Sequence, residues 1–448
     1  MRSTRHLSVS SMMDPGLSRR ARNALDRLVP VLSGTAPASF DPFGNTIDLS
    51  CGGNEVLYPE LKQFLGDVVR DVGAVEAFSE PVPSINGGDL GLRNALAGFF
   101  NTYFKPVHAV RAEHIVLTDG TTDGIENLIH AVCDDGDSVL VPGPSCPDIS
   151  VLLKRKANVH LIPARPPTYS HWDNYLVPSL QAAYDFSSHR SRIKAVLLSN
   201  PNNPLSRCYP RETLRELLEF CQERGLHLIV DEGAGLMRLD GGKEEGGGGG
   251  GKKKRDGAEF VSALALTEPL VPEGAVKVDP SRVHIVWSAS RLFGLGGLKI
   301  GCVVSQQNTP LLTSLALTST HPSSLSTVYL SSLLTSSRLP DLRTLNNNRL
   351  TSSYVALTDI LRQHDIEFVV PTHGPFLFAK LAKKARTVEE ENVFWRDLEG
   401  RGGIKVAPGR VFNGVEKDGG WARVRFSVSE EVMQEVVGKL EDFFGGSG

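Results

Sequence analysis

The middle of the chain is a train of short apolar runs separated by amphipathic stretches, and few architectures accept that pattern. The runs fall at 114–118 (HIVLT), 138–141 (SVLV), 159–162 (VHLI), 195–199 (AVLLS), 226–230 (LHLIV), 284–288 (HIVWS) and 300–304 (IGCVV). Each has strand length and reads as a buried strand. Between two of them, 211–224 places Leu214, Leu217, Leu218 and Cys221 at helical spacing. Strands that alternate with helices predict an α/β fold with a mostly parallel, doubly wound sheet. In such sheets ligands sit beyond the carboxyl ends of the strands. The chemistry is therefore expected in the loops that follow these runs.

A chain of 448 residues is too long for one simple core. The sequence divides into an N-terminal segment, partly disordered, over 1–44; a first part of a small domain over 45–84; a large domain over 85–320; and a C-terminal α+β small domain over 321–448. Residues 241–257 (GGKEEGGGGGGKKKRDG) interrupt the large domain as a flexible Gly/Lys insertion that cannot build a core. Its KKKR run reads as a solvated loop before a nuclear signal. Net charge is −3, so no field draws the chain to nucleic acid or an anionic membrane. No apolar run reaches the roughly 18 residues that span a bilayer. Cysteines 51, 133, 146, 208, 221 and 302 show no C-x-x-C spacing, which argues against a metal knot or a disulfide framework. A reducing, cytoplasmic setting follows. The basic, Ser-rich, acid-free opening reads as a disordered start, with a transit peptide as the alternative.

Five motifs lie in the expected loops or in the second domain. TDGTTDG (118–124) follows a run and opens a helix. Its Gly-Thr-Thr turn offers backbone N–H groups and hydroxyls to an anion, or Thr121 or Thr122 serves as a plain N-cap. SNPNNPLS (199–206) is a rigid turn that places the Asn203 amide at the sheet edge. LIVDEG (228–233) ends a strand on Asp231, whose carboxylate either meets a protonated heterocycle or caps a local turn. SASRLFGLGGLKIG (288–301) lacks the acidic residue about 20 positions on that a dinucleotide turn needs. It leaves hydroxyls, two cations and a glycine-rich turn suited to phosphate. GWARVRFS (420–427) alternates as a strand, with Trp421, Arg423 and Arg425 on one face. It reads as an edge strand or as an arginine fork for a carboxylate.

Taken in order, these motifs resemble the fold-type I pyridoxal-phosphate enzymes of the class I/II aminotransferase family. IDLSCGGNE (47–55), DDGDSVLVPGPSCP (134–147), HLIVDE (227–232) and GWARVRF (420–426) resemble the 1-aminocyclopropane-1-carboxylate synthase-like branch. The resemblance spans roughly residues 45 to 440. It implies an aspartate aminotransferase-like large domain, pyridoxal 5'-phosphate as cofactor, an amino-acid-like small molecule as partner, and a homodimer. It assigns Gly120, Thr121 and Thr122 to the coenzyme phosphate, joined by Ser288 and Ser290. Asn203 takes the ring hydroxyl, Asp231 the pyridine nitrogen, and Arg423 the substrate carboxylate.

The departures from that family gather in the site. The Schiff-base lysine falls at Arg291, the phosphate-binding arginine at Lys299, the ring-stacking aromatic at Cys146 and the tyrosine near the ring hydroxyl at Ala234. The neighbouring subunit's tyrosine falls at about Asn86. A lysine supplies a neutral amine and a proton shuttle. A guanidinium, with a pKa above about 12, is a poor nucleophile and a poor base but holds an anion well. The expectation is an aminotransferase or lyase relative with impaired or altered catalysis, whose coenzyme is weakly held, non-covalent or lost. The alternative is an inactive homologue serving as a ligand-binding or scaffold dimer.

Overall fold

The computed structural model describes residues 46–71, 87–169, 172–240, 257–267, 278–412 and 418–446, with five isolated residues between 18 and 26. Asn86, residues 241–256 of the insertion and most of the opening segment lie outside these. Among the described residues the strands are β1 (Ile47–Asp48), β2 (Ile115–Thr118), β3 (Ser138–Pro142), β4 (His160–Ala164), β5 (Ile193–Ser199), β6 (His227–Asp231), β7 (Val283–Ser288), β8 (Gly301–Ser305), β9 (Phe368–Val369), β10 (Phe376–Ala379), β11 (Ile404–Lys405), β12 (Ala407–Pro408) and β13 (Ala422–Arg425).

Seven strands form one sheet in the order β2-β8-β7-β6-β5-β3-β4. Only β8 runs against its neighbours, so the sheet is mixed but mostly parallel. Both faces are covered, and period-2 side-chain alternation divides each strand between two cores. Leu228 and Val230 face one core with Ile285 and Trp287. Ile229 and Val286 face the other with Val139, Val141 and Leu197. That is why the strands read as continuous apolar runs. The helix Leu90–Tyr103 presses Phe99 and Phe100 on Trp287, with ring centroids 5.2 and 6.2 Å apart. Asp89 caps its first turn by accepting from the Leu92 N–H at 2.7 Å.

After Ser305 come the helices Thr309–Thr318, Ser324–Thr335 and Leu339–Gln363. A four-stranded sheet of order β12-β13-β10-β9 follows, then a final helix, Glu430–Gly445, capped by Ser429. Residues 47–55 run along this second unit. β1 pairs in parallel with β11. The Arg425 N–H donates to the Leu49 carbonyl at 3.0 Å, and the Glu55 N–H to the Ser427 carbonyl at 2.9 Å. The Ser427 hydroxyl donates to the Gly53 carbonyl at 2.6 Å. These bonds lay Ser50–Gly53 as a strap beside the carboxyl ends of β6 and β7. Among the described residues, no helix is long and apolar enough to cross a membrane.

Candidate functional site

Two turns meet where β2 and β7 end. Gly120 opens the helix Thr121–Val132 with φ 100°, backbone that favours glycine. Neither Thr121 nor Thr122 is the N-cap; Gly120 is, and no side chain caps the helix. Its first N–H groups are thus free of a side-chain acceptor. Thr121 occupies the first helical position and its hydroxyl pairs with the Ser288 hydroxyl at 3.0 Å. Gly301 permits this closeness, because a Cβ there would stand 2.8 Å from the Gly120 Cα. The result is a small cup of hydroxyls and N–H groups at a helix start, a fit for an anion. Thr122 is exposed, and Ser290 is half-buried on the neighbouring turn. Lys299 is also exposed, on left-handed backbone at φ 49°. Burial pushes the Asp119 carboxyl up, Asp123 adds to this, and the Lys299 charge pulls it back.

Asp231 ends β6. One carboxylate oxygen accepts from the Gly233 N–H at 3.0 Å, which is the turn-capping role. The other accepts no hydrogen bond among the described residues. Burial pushes this carboxyl up, while the Gly233 N–H and the Arg291 charge pull it down.

Arg291 rises from the short helix Ala289–Leu292. Its stem passes Gly233, and its Nη1 donates to the Gly52 carbonyl of the strap. The buried Asn54 amide donates to the main-chain carbonyls of Arg291 (2.9 Å) and Leu292 (3.1 Å). Residues 52–54 therefore grip Arg291 at both its side chain and its backbone. Arg423, on β13, donates to the Asn203 amide oxygen at 2.8 Å and to the Ser50 carbonyl at 2.6 Å. Its guanidinium carbon lies 4.2 Å from the Phe376 ring centroid and 4.9 Å from that of Phe412. Burial lowers its pKa to about 10, and the Arg291 charge acts the same way. Arg291 lies 5.6 Å from the same Phe376 ring.

The edge-strand reading of 420–427 fails, because β13 lies between β12 and β10, and its two arginines part. Arg425 turns to Glu55 and to the Asp48 carbonyl, leaving Arg423 beside Arg291. Both residues face the same side of β13, but Glu55, just past the strap, offers Arg425 an acid. Cys146 is half-buried, and burial pushes its thiol up against the opposing pull of Arg423 and Arg291. Ala234 packs toward Gly374, whose Cβ would lie 3.9 Å from its own. A short side chain at 234 thus admits the 372–376 loop, which brings in Phe376. The sequence reading missed Phe376, Gly52 and Asn54. The paired glycines at 52–53 and the Gly-Pro step before Phe376 were the available signals.

The model of the class I and II aminotransferases matches residues 86–440, and the chain belongs to that family. It is 32% identical to a relative named the probable aminotransferase aclI of Aspergillus oryzae, over 96% of this chain and 98% of that protein. It is 29% identical to 1-aminocyclopropane-1-carboxylate synthase 6 of Oryza sativa subsp. japonica, over 77% of this chain and 60% of that one. Its fold matches the aspartate aminotransferase from Thermus thermophilus solved with maleate, with a TM-score of 0.70 at 19% identity, over 96% and 99% of the two chains.

The family depends on pyridoxal phosphate. The residues present suit its phosphate, through the cup at Gly120, Thr121 and Ser288, and its ring nitrogen, through the open oxygen of Asp231. Position 291 does not suit covalent attachment, because it offers a guanidinium instead of an amine.

Proposed function

We propose that the chain is a pyridoxal-phosphate protein of aminotransferase or lyase type for amino-acid-like substrates. In this reading the coenzyme is held without a covalent bond, and catalysis is impaired or altered. The observation that carries it is the open carboxylate oxygen of Asp231 beside a guanidinium at position 291. When bound, the coenzyme supplies an electron sink. Thr121 and Ser288 bind its phosphate, with Thr122, Ser290 and Lys299 around them. Asp231 holds the proton on the ring nitrogen. Asn203 takes the ring hydroxyl, and Cys146 borders the ring face that an aromatic covers in relatives. Arg423 orients the substrate carboxylate. Arg291 holds an anion and moves no proton.

The likeness to aclI supports the aminotransferase side, and that to the plant synthase supports the branch. The proposal includes a homodimer in the cytoplasm, with neither nucleic acid nor membrane as partner. The pairing of β1 with β11 supports a small domain built from 45–84 and 321–448 around a large domain over 85–320. Visible absorption of the protein titrated with pyridoxal phosphate, then borohydride reduction and peptide mass analysis, tests this reading. The expected result is a saturable band with no trapped lysine. A trapped lysine would overturn the non-covalent part, and no band at any concentration would overturn the coenzyme part.

The second reading is a ligand-binding or scaffold dimer without catalysis. It is favoured by the gathering of changes at Cys146, Ala234, Arg291 and Lys299. It predicts no rise in melting temperature with added coenzyme.

A further inference from the structure

Arg291 and Arg423 converge on one ring. Their guanidinium carbons stand 5.6 and 4.2 Å from the Phe376 centroid, and both donate to the strap, Arg291 to the Gly52 carbonyl and Arg423 to the Ser50 carbonyl. Neither forms a salt bridge among the described residues. Arg423 spends its bonds on an amide oxygen and a carbonyl, and Arg291 on a carbonyl. Arg425, two residues along the same strand, finds Glu55. Arg423 is only 7% exposed, and its Nε, like that of Arg425, has no partner among the described residues.

Two cations brought together, Arg423 buried and Arg291 half-buried, lose hydration and repel each other. Neutral dipoles soften that cost but do not cancel the charge. The groups nearby do not cancel it either. Burial keeps the Cys146 thiol neutral, while Asp231 acts on Arg291 and Asp148 on Arg423 from a distance, neither in an ion pair among the described residues. Close ion-pair partners for the two guanidiniums are lacking among the described residues, and a planar guanidinium is shaped to take a carboxylate on two parallel N–H groups.

We propose that Arg291 and Arg423 form a two-guanidinium clamp for a small ligand with two acid groups, one seated on each arginine. The proposal rests on the reading that this cleft is the ligand site of the aminotransferase-family fold. It gives position 291 a recognition role in place of a covalent one. The second acid group takes over the N–H that Arg291 now gives to Gly52. Residue 52 must then stay small, because a Cβ there would overlap the Arg291 guanidinium.

The test is calorimetric titration of the full chain with succinate, glutarate and butyrate at constant ionic strength. The two diacids are expected to bind at least tenfold more tightly than butyrate. Arg291→Gln should bring the diacids to the butyrate level while butyrate changes less than twofold. Arg423→Gln should lose all three. Gly52→Ala, which displaces the guanidinium and leaves residue 291 in place, should narrow the ratio. Circular dichroism and melting verify the fold of each variant. Should Arg291→Gln fail to fold, the wild-type ratio and Gly52→Ala decide. Equal affinities in the wild type, silence from all three acids, or a ratio that survives Arg291→Gln would each overturn the clamp. Pyridoxal phosphate titrated into the same samples separates the two readings. A coenzyme response without diacid preference removes the clamp alone, and diacid preference without a coenzyme response removes the coenzyme reading alone.

Discussion

Asp231 and Glu232 are neighbours with opposite fates. Glu232 is fully buried and closed: Ser262 Oγ donates to one oxygen at 2.6 Å and the Ala263 N–H to the other at 2.8 Å. Burial pushes it up to about 8, so it is mostly protonated at neutral pH. Asp231 is half-open: the Gly233 N–H takes one oxygen and the other accepts no hydrogen bond among the described residues. The same contrast recurs on β13, where Arg425 meets Glu55 and Arg423 forms no ion pair among the described residues. Strand alternation places Asp231 and Glu232 on opposite sides of the chain, one toward the strand ends and one into the packing. Glu232 and Arg425 spend their charged ends on partners within the chain, whereas Asp231 keeps one carboxylate oxygen, and Arg423 its charge, without a close partner of opposite kind among the described residues.

The largest test of this contrast is Arg425→Met against Arg423→Met. Removing Arg425 strands Glu55 and should cost about 3 kcal/mol in urea unfolding. Removing Arg423 takes away an unpaired buried cation and should change stability by no more than about 1 kcal/mol. Equal costs would break the comparison. Next comes Asp231→Asn, which should weaken coenzyme binding by about 10- to 100-fold through loss of a charged hydrogen bond. Glu232→Gln should leave that binding alone, and spectral titration of both variants reads the difference. Third, Glu232→Ala should cost about 1–2 kcal/mol by orphaning its two donors. Glu232→Gln, which keeps the shape, should cost less in the same assay.

The smallest effect is in the pH dependence of the urea midpoint. Glu232 has an ordinary value of 4.5 and a folded value of about 8. Between these the unfolded chain loses a proton that the folded chain keeps. Its contribution is whole below 4.5 and is lost as pH rises through 8. Glu232→Gln should flatten this alkaline arm. At the other end of the sheet, His227 and His284 stack with their ring nitrogens 2.9 Å apart. Burial pushes them down from 6.5 to about 4 and about 3. Here the unfolded chain binds protons first, so stability is whole above 6.5 and falls as pH is lowered. His227→Gln should weaken this acid arm.

Much of the framework was legible. The seven apolar runs match the seven strands of the large sheet to within two residues, and the stretch 211–224 matches the helix Arg211–Glu223. Burial on both faces leaves an apolar signature in the residues themselves. The antiparallel course of β8 was not legible, because an apolar run carries no direction. Nor was the parting of Arg423 and Arg425, since equal parity on a strand says nothing about what packs opposite.

By itself the sequence determined the strands, the turns that end them, and the residue types waiting in those turns: a glycine where φ is positive, an acid at the end of β6, and an arginine at 291. Those features are local, set by backbone sterics and by the period of the apolar pattern. Tertiary structure alone decided that residues 50–54 lie as a strap on two arginines 239 and 373 positions away along the chain. It alone decided that Phe376 enters beside Ala234, and that one oxygen of Asp231 stays open. Those outcomes depend on which distant surfaces meet, and neither periodicity nor spacing encodes such contacts.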